Sequence, residues 1–427
     1  VSLLLAVLMG CSGSEPPPPS PAPTPAPAPA PAPAEVGLPE ASPVLPEREA
    51  TLPQPLATWP ELLAARKVLA DAVHTHGRDP DNPWAVGHAM LALGPDIELT
   101  NGVKAADHLF AAYAEWVELP GDDGVAFPRK RGDIRIEPHS DLLLKALTEG
   151  GVAPDRQVAV GNKVTEPSRL WRHSVRRAWV DGSRTGFDSM NDLPWALQGI
   201  AHWAPPELSW TAVGGRSMSL TGLTHDATVH LKGQSQQLLA AKAAGQVPQK
   251  DGKGILGYTC GGHHFVQGVA HAHARGFGAD DDRALICEQQ ELMRWRIDHE
   301  LGSIDPLLAQ HGTTDKNVAI VLLDQRLKFL GHYLETASKL GAYQLCEWTD
   351  ADAKALKRAA DELVRTVQAL DGLGVYADLQ AVRSNRGLDP YRANSGGAEQ
   401  VYLDLLGDAA HAVRGIDLAT GQGVVRY

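Results

Sequence analysis

Apolar residues recur at three- and four-residue spacing through most of the chain beyond residue 56, and Gly, Pro or Asp-Gly breaks separate the periodic runs. The pattern predicts helices near 59–76, 83–93, 103–117, 140–149, 168–180, 194–203, 220–244, 260–276, 282–301, 316–340, 350–370 and 398–414. Asn82-Pro83 and Asp192-Leu193-Pro194 place a polar cap ahead of a first-turn proline, and Ser219 stands where it can cap the long helix that follows. Strand signal is thin. Residues 125–127 and 134–136 flank 129–133 as one hairpin, and 157–164 is a second extended piece.

Several predicted helices are centred on glycine. Pro83-Trp84-Ala85-Val86-Gly87-His88-Ala89 echoes Pro194-Trp195-Ala196-Leu197-Gln198-Gly199-Ile200-Ala201, and the same theme returns around Gly268 and in Phe329-Leu330-Gly331-His332. Glycine inside a helix costs about 1 kcal/mol relative to alanine, so its recurrence implies helices in close contact. Repeated helical pairs with glycine-bearing inner members resemble an (α/α) toroid, the architecture of many polysaccharide lyases, glycosidases, prenyl-group enzymes and lanthionine cyclases. The expected fold is mainly α: a toroid-like array of helical hairpins with at most a small β-hairpin, in one domain over 56–427. An irregular helical bundle or solenoid is the alternative.

The first residues have a different character. A short apolar run ends in Leu8-Met9-Gly10-Cys11, followed by Ser12 and a Pro/Ala track over 16–34. The run is too short to span a bilayer, which takes about 20 apolar residues. Leu8-Met9-Gly10-Cys11 resembles the lipobox of bacterial lipoproteins. That resemblance implies a signal peptide over 1–10, lipid on Cys11 and anchoring in the cell envelope. Ser12 implies the outer membrane by the family's sorting pattern. The Pro/Ala track lacks core-forming residues and should be an extended spacer, with linker character continuing to residue 55.

The formal charge of −12 and the lack of a basic block argue against nucleic-acid binding. Besides Cys11 there are Cys260, Cys287 and Cys346. In an oxidising compartment one disulfide is expected, and Cys287 with Cys346 is the favoured pair. No phosphate loop, nucleophile elbow, HExxH or calcium loop occurs, which leaves nucleotide binding, serine hydrolysis and the common metalloprotease chemistry without support.

Candidate chemistry gathers in three places. On a helical wheel Cys260, His264, Gln267 and His271 fall within about 60° of one another. Cys260, His264 and His271 are therefore candidate metal ligands, or Cys260 a thiolate with His264 as its base. A hydrogen-bonded or solvent-facing polar stripe is the plain alternative. Glu137 and His139 precede a helix start, where loop residues often carry function. Gln325, Lys328, His332 and Glu335 form a stripe on the 316–340 helix, which faces either a lumen or solvent as an ordinary charged face, and His88 after Gly87 occupies the place of His332 after Gly331. His225-Asp226 is a further pair.

Two functions fit. One is an envelope lipoprotein enzyme whose cavity acts on a polymer such as a glycan, with Trp84, Trp195 and Trp203 stacking on sugars and His88, Glu137, His139, Cys260, His264 and His332 doing the chemistry. The other is a non-catalytic binding or structural lipoprotein of the envelope. No cofactor can be assigned from sequence. Lipidation has a direct check: Cys11→Ser should abolish incorporation of radiolabelled fatty acid into the exported full-length chain, and retained label would remove the lipobox assignment.

Overall fold

The structure is a computed structural model that describes residues 45–119, 122–213, 215–246, 252–393 and 396–427. Cys11 and the Pro/Ala track lie outside these residues. Within them every periodic run folds as a helix, most of them close to their expected bounds, although the 282–301 helix continues to His311 and the 168–180 helix ends at Val175. They alternate between two concentric layers.

The outer layer consists of α1 (Pro60–His76), α3 (Ala105–Tyr113), α5 (Arg169–Val175), α7 (Leu220–Ala244), α9 (Arg283–His311) and α11 (Asp350–Gly372). The inner layer consists of α2 (Pro83–Leu93), α4 (Leu142–Glu149), α6 (Leu193–Trp203), α8 (His263–Ala274), α10 (Lys316–Tyr343) and α13 (Ala398–Ala419). A short α12 (Leu379–Ser384) precedes α13. Each inner helix packs on the next, and α13 packs back on α2; outside, α11 returns to α1. The ring therefore closes, which rules out an open solenoid and an irregular bundle. The layering follows from sequence: α4 and α6 are buried along their whole length, whereas α11 alternates a buried stripe with an exposed one.

Glycine permits the closure. A Cβ on Gly199 would lie 2.3 Å from Leu144 Cγ of α4, and one on Gly268 would lie 2.4 Å from Pro194 O of α6. Gly87 meets Leu143 in the same way, and Gly331 backs onto Ala412 of α13. All four glycine-centred segments are inner helices, and each glycine sits where neighbouring helices of the ring touch.

The strand content exceeds the single small hairpin expected. Five hairpins join helices: β2 (Glu115–Leu119) with β3 (Asp122–Ala126), β4 (Lys130–Arg131) with β5 (Ile134–Arg135), β6 (Val158–Val160) with β7 (Lys163–Thr165), β8 (Val180–Asp181) with β9 (Arg184–Thr185), and β10 (Ser209–Ala212) with β11 (Arg216–Ser219). Val125 pairs with Trp116, not with the strand near residue 135, because α3 stops at Tyr113 and the chain turns extended. Three of these hairpins turn through Gly132-Asp133, Gly161-Asn162 and Gly182-Ser183, with each glycine at a φ near +60°. The piece expected to be extended over 157–164 is the β6–β7 hairpin, whereas the two-residue strands of the other two are too short to show alternation and only their turn dipeptides betray them.

The described chain begins and ends at the pole of the ring where α8 finishes. There β1 (Glu49–Ala50) pairs with β12 (Val425–Arg426). Arg275, just past α8, donates to the carbonyls of Leu45, Pro46, Ala201 and His202. Residues 45–55 thus belong to the body rather than to the linker. Their proline content hides the apolar contacts of Leu45, Leu52 and Leu56 with the core. Cys287 of α9 is disulfide-bonded to Cys346 beyond α10, with Cα atoms 5.5 Å apart. No described helix is long and apolar enough to cross a membrane.

The ring contacts make a paired prediction. Gly199→Ala should destabilise the protein by about 1–3 kcal/mol through overpacking against Leu144, although alanine is the better helix former. Gly233→Ala, on outer α7 with open space around it, should stabilise by about 0.4–1 kcal/mol. Urea unfolding of both variants distinguishes the two signs.

Candidate functional site

At the pole where α2, α4, α6 and α8 begin, the ring interior opens into a cavity of about 690 Å³. All six inner helices, or the loops leading into them, contribute to its wall. Trp84 and His88 come from α2, Glu137 and His139 from the approach to α4, and Trp195 from α6. Cys260 and His264 come from the start of α8, Lys328 and His332 from α10, and Asp404, Asp408 and His411 from α13. The β4–β5 hairpin adds Arg129, Lys130 and Arg135 at the rim. A separate depression of about 780 Å³ beside β3 and β7, lined by residues such as Trp116, Lys163 and Arg169, has no imidazole, thiol or buried carboxyl in its wall.

The imidazoles are oriented by their own backbones. His88 Nδ1 donates to Trp84 O and His332 Nδ1 to Lys328 O, each at 2.8 Å and each four residues back along its helix. The repeated Gly-His therefore places two rings identically. His411 Nδ1 donates to Glu335 Oε2 at 2.7 Å, and His139 Nδ1 lies 3.3 Å from Asp192 Oδ1. In each case Nδ1 faces an oxygen, which leaves Nε2 as the ring nitrogen available for other contacts. His264 Nε2 lies 3.2 Å from His332 Nε2.

Cys260 reaches this group from a turn, not from the helix. Its backbone is left-handed (φ 53°, ψ 35°), followed by Gly261 and Gly262 at positive φ, and α8 starts only at His263. Left-handed backbone at a residue with a side chain costs about 1–3 kcal/mol. The turn is held by His263 Nδ1 donating to Cys260 O and by Arg296 donating to Gly261 O. The helical-wheel argument for Cys260 was therefore inapplicable, although the thiol does face the cavity.

Below the imidazoles a buried ionic network fills the ring. Lys339 Nζ lies 2.5 Å from Glu149 and 2.6 Å from Glu335, and donates to Gln267. Lys145 reaches Glu149 at 3.1 Å, and Arg414 reaches Glu335 at 3.5 Å. Burial works to raise the Glu335 carboxyl, but Lys339 and then His411 hold it well below its ordinary range. On α13, Asp404 and Asp408 each lie 3.6 Å from Lys328 Nζ. Burial, followed by the charges of Asp324 and Asp404, pushes Asp408 well above the usual carboxylate range. Burial also acts to raise Asp404, but Lys328 and then Arg392 keep it below its ordinary value.

Some expected residues are elsewhere or have other work. His271 lies seven residues beyond His264, about 10 Å deeper along the helix, where it meets His202 and the Tyr343 hydroxyl. It shares a helix face with His264 but not the cavity. Trp203 is fully buried at the far end of α6 and offers no sugar platform. Trp195 does line the cavity, but its ring packs against His139 and His264. Glu137 accepts the backbone N–H groups of Asp141 and Leu143; it caps α4 and has little freedom for proton transfer. His225 pairs with Asp282, not with its neighbour Asp226.

Asp404, Asp408 and His411 were not picked out from sequence, nor were Lys145, Glu149 and Lys339. The signal for α13 was Gly407-Asp408 and His411-Gly415, a fifth helix that mixes glycine with polar residues. A Cβ on Gly415 would sit 2.8 Å from Gly331 O.

Burial pushes the His88 imidazole down from 6.5 to about 3. Above pH 6.5 the ring is neutral in both the folded and unfolded chain, so its contribution to stability is complete. Between pH 6.5 and 3 the unfolded chain binds a proton that the folded one does not, and stability falls as pH falls. At about 1.4 kcal/mol per unit, His88→Gln should reduce the stability lost between pH 6.5 and 5 by about 2 kcal/mol, measured by urea unfolding at both pH values. In comparisons with known proteins, no family model, no curated protein and no solved structure matches this chain.

Proposed function

We propose that the protein is a lipoprotein enzyme of the cell envelope, anchored at the outer membrane through Cys11, whose ring cavity cleaves glycosidic bonds in an envelope or extracellular glycan. The Cys287–Cys346 disulfide fits an oxidising compartment. The cavity volume falls within the roughly 300–1,000 Å³ of small-molecule and oligomer sites. Half-buried Trp84 presents apolar ring surface at its wall, suited to stacking on a pyranose face.

The observation that carries the reading is the Asp404–Asp408 pair. Two carboxyls one helical turn apart face one cavity, and their surroundings drive their proton affinities in opposite directions. Asp408 is the member held toward its protonated form and Asp404 the member held toward its ionised form. Glycoside hydrolysis needs such a pair: the acid protonates the leaving oxygen and the carboxylate activates water or attacks the sugar carbon. His139, fixed by Asp192 and stacked on Trp195 at the mouth, can move protons to and from solvent.

The test uses the full-length chain in detergent with neutral polysaccharides, uronate-containing polysaccharides and peptidoglycan, measuring release of reducing ends. Release from at least one polymer is expected. Asp408→Asn should lower the rate by about 10²–10⁴-fold while oligosaccharide binding, read by calorimetry, persists. Binding without release from any polymer would make the protein the non-catalytic envelope lipoprotein that is its alternative. Full activity in Asp408→Asn would discard the carboxyl pair.

A further inference from the structure

Cys260, His264 and His332 come from three separate stretches: a strained turn, the first turn of α8 and the middle of α10. Their Sγ and ring-nitrogen atoms all lie within 4.8 Å of one another. The arrangement of protons around them is informative. His332 Nδ1 carries its proton to the Lys328 carbonyl, so His332 Nε2 presents a lone pair. His264 Nε2 faces that lone pair at 3.2 Å. If His264 donated its proton there, its Nδ1 would be left an acceptor, yet Nδ1 is buried with no hydrogen-bond partner. His264 Nδ1 is without a partner in either tautomer; what points to a cation is the convergence of the two Nε2 atoms and the Cys260 thiol on one point.

We infer that Cys260, His264 and His332 bind one transition-metal ion, zinc by their chemistry, with an open position toward the cavity. Tetrahedral zinc with nitrogen ligands at about 2.05 Å sets two imidazole nitrogens about 3.3 Å apart, close to the 3.2 Å seen. One thiolate and two imidazoles suit zinc, and no methionine thioether lines the cavity to complete a blue-copper set. The supporting residues have the form that metal-bound histidines adopt, with the second ring nitrogen donated to a backbone carbonyl in His332. The left-handed backbone at Cys260 is explained as well, because it aims the thiol at the two rings. His411, tied to Glu335, lies against His332 with ring centroids 4.0 Å apart and helps hold that ring in place. With the metal in place Cys260 is a ligand, and the nucleophilic thiol is excluded.

This inference is independent of the glycan reading, since metal loading is read without any substrate. The full-length chain, stripped with a chelator and dialysed against zinc, should hold about one ion per chain by mass spectrometry. Cobalt(II) in its place should give a thiolate-to-metal charge-transfer band in the near ultraviolet. Cys260→Ser should abolish that band, and His332→Ala should weaken zinc binding at least tenfold. His225→Ala, whose ring rests on Asp282 away from the cavity, should leave loading unchanged. Folded wild-type protein that takes up neither metal stoichiometrically would overturn the site, and so would a cobalt band that survives in Cys260→Ser. The wild-type measurement decides even if His332→Ala does not fold.

Discussion

The Lys339 ammonium joins carboxylates from opposite parts of the ring: Glu149 at the end of α4 and Glu335 one turn back on α10. Six helices packed in a circle leave a central space too wide for apolar side chains to fill from one helix alone. Here that space holds two lysines, two glutamates and an arginine, paired at distances of 2.5–3.8 Å. Such a network adds little net stability over apolar packing, but losing one partner strands a buried charge at a cost of about 3–5 kcal/mol. The five groups therefore hold the ring in one arrangement and form a floor under the cavity, while a smaller depression of about 260 Å³ reaches Glu149 and Arg414 from the other pole.

The cavity depends on that floor. Glu335 is the member with two duties: one oxygen meets Lys339 and the other holds His411. The floor thus fixes the direction of an imidazole in the wall. With two lysines and Arg414 against two glutamates, the floor carries an excess of positive charge, and the rim adds Arg129, Lys130 and Arg135. Asp133 at the rim and Asp404 and Asp408 in the wall stand beside these cations, so the cavity presents both signs of charge to an entering chain.

Much of this was legible in the chain, for definite reasons. Gly87, Gly199, Gly268 and Gly331 marked the inner helices because only close approach justifies glycine there. The shared Gly-His of α2 and α10 marked two rings with one orientation. What a single helix cannot reveal is which polar stripe faces solvent and which faces the interior. Lys145, Glu149, Lys339, Asp404 and Asp408 carry no signal of their own in the sequence, because a charge at helical spacing looks the same on a surface as inside a closed ring. Depth was equally hidden: a wheel collapses the helix axis, so His271 and His264 coincide in projection while lying two turns apart. The extended stretch 157–164 was legible and is the β6–β7 hairpin, whereas the two-residue strands of β4–β5 and β8–β9 are shorter than any periodicity and leave only Gly-Asp and Gly-Ser as their trace.

The clasp that Arg275 forms with Leu45 and Pro46 fixes where the polypeptide enters the body. That entry lies past the end of α8, whereas His264 and the mouth lie at its beginning, roughly 18 Å away along the axis. For the tethered form proposed, the stalk and the opening are therefore at opposite poles. In that form the point of attachment and the aperture do not compete for the same face, and a long chain can reach the mouth without threading past the stalk.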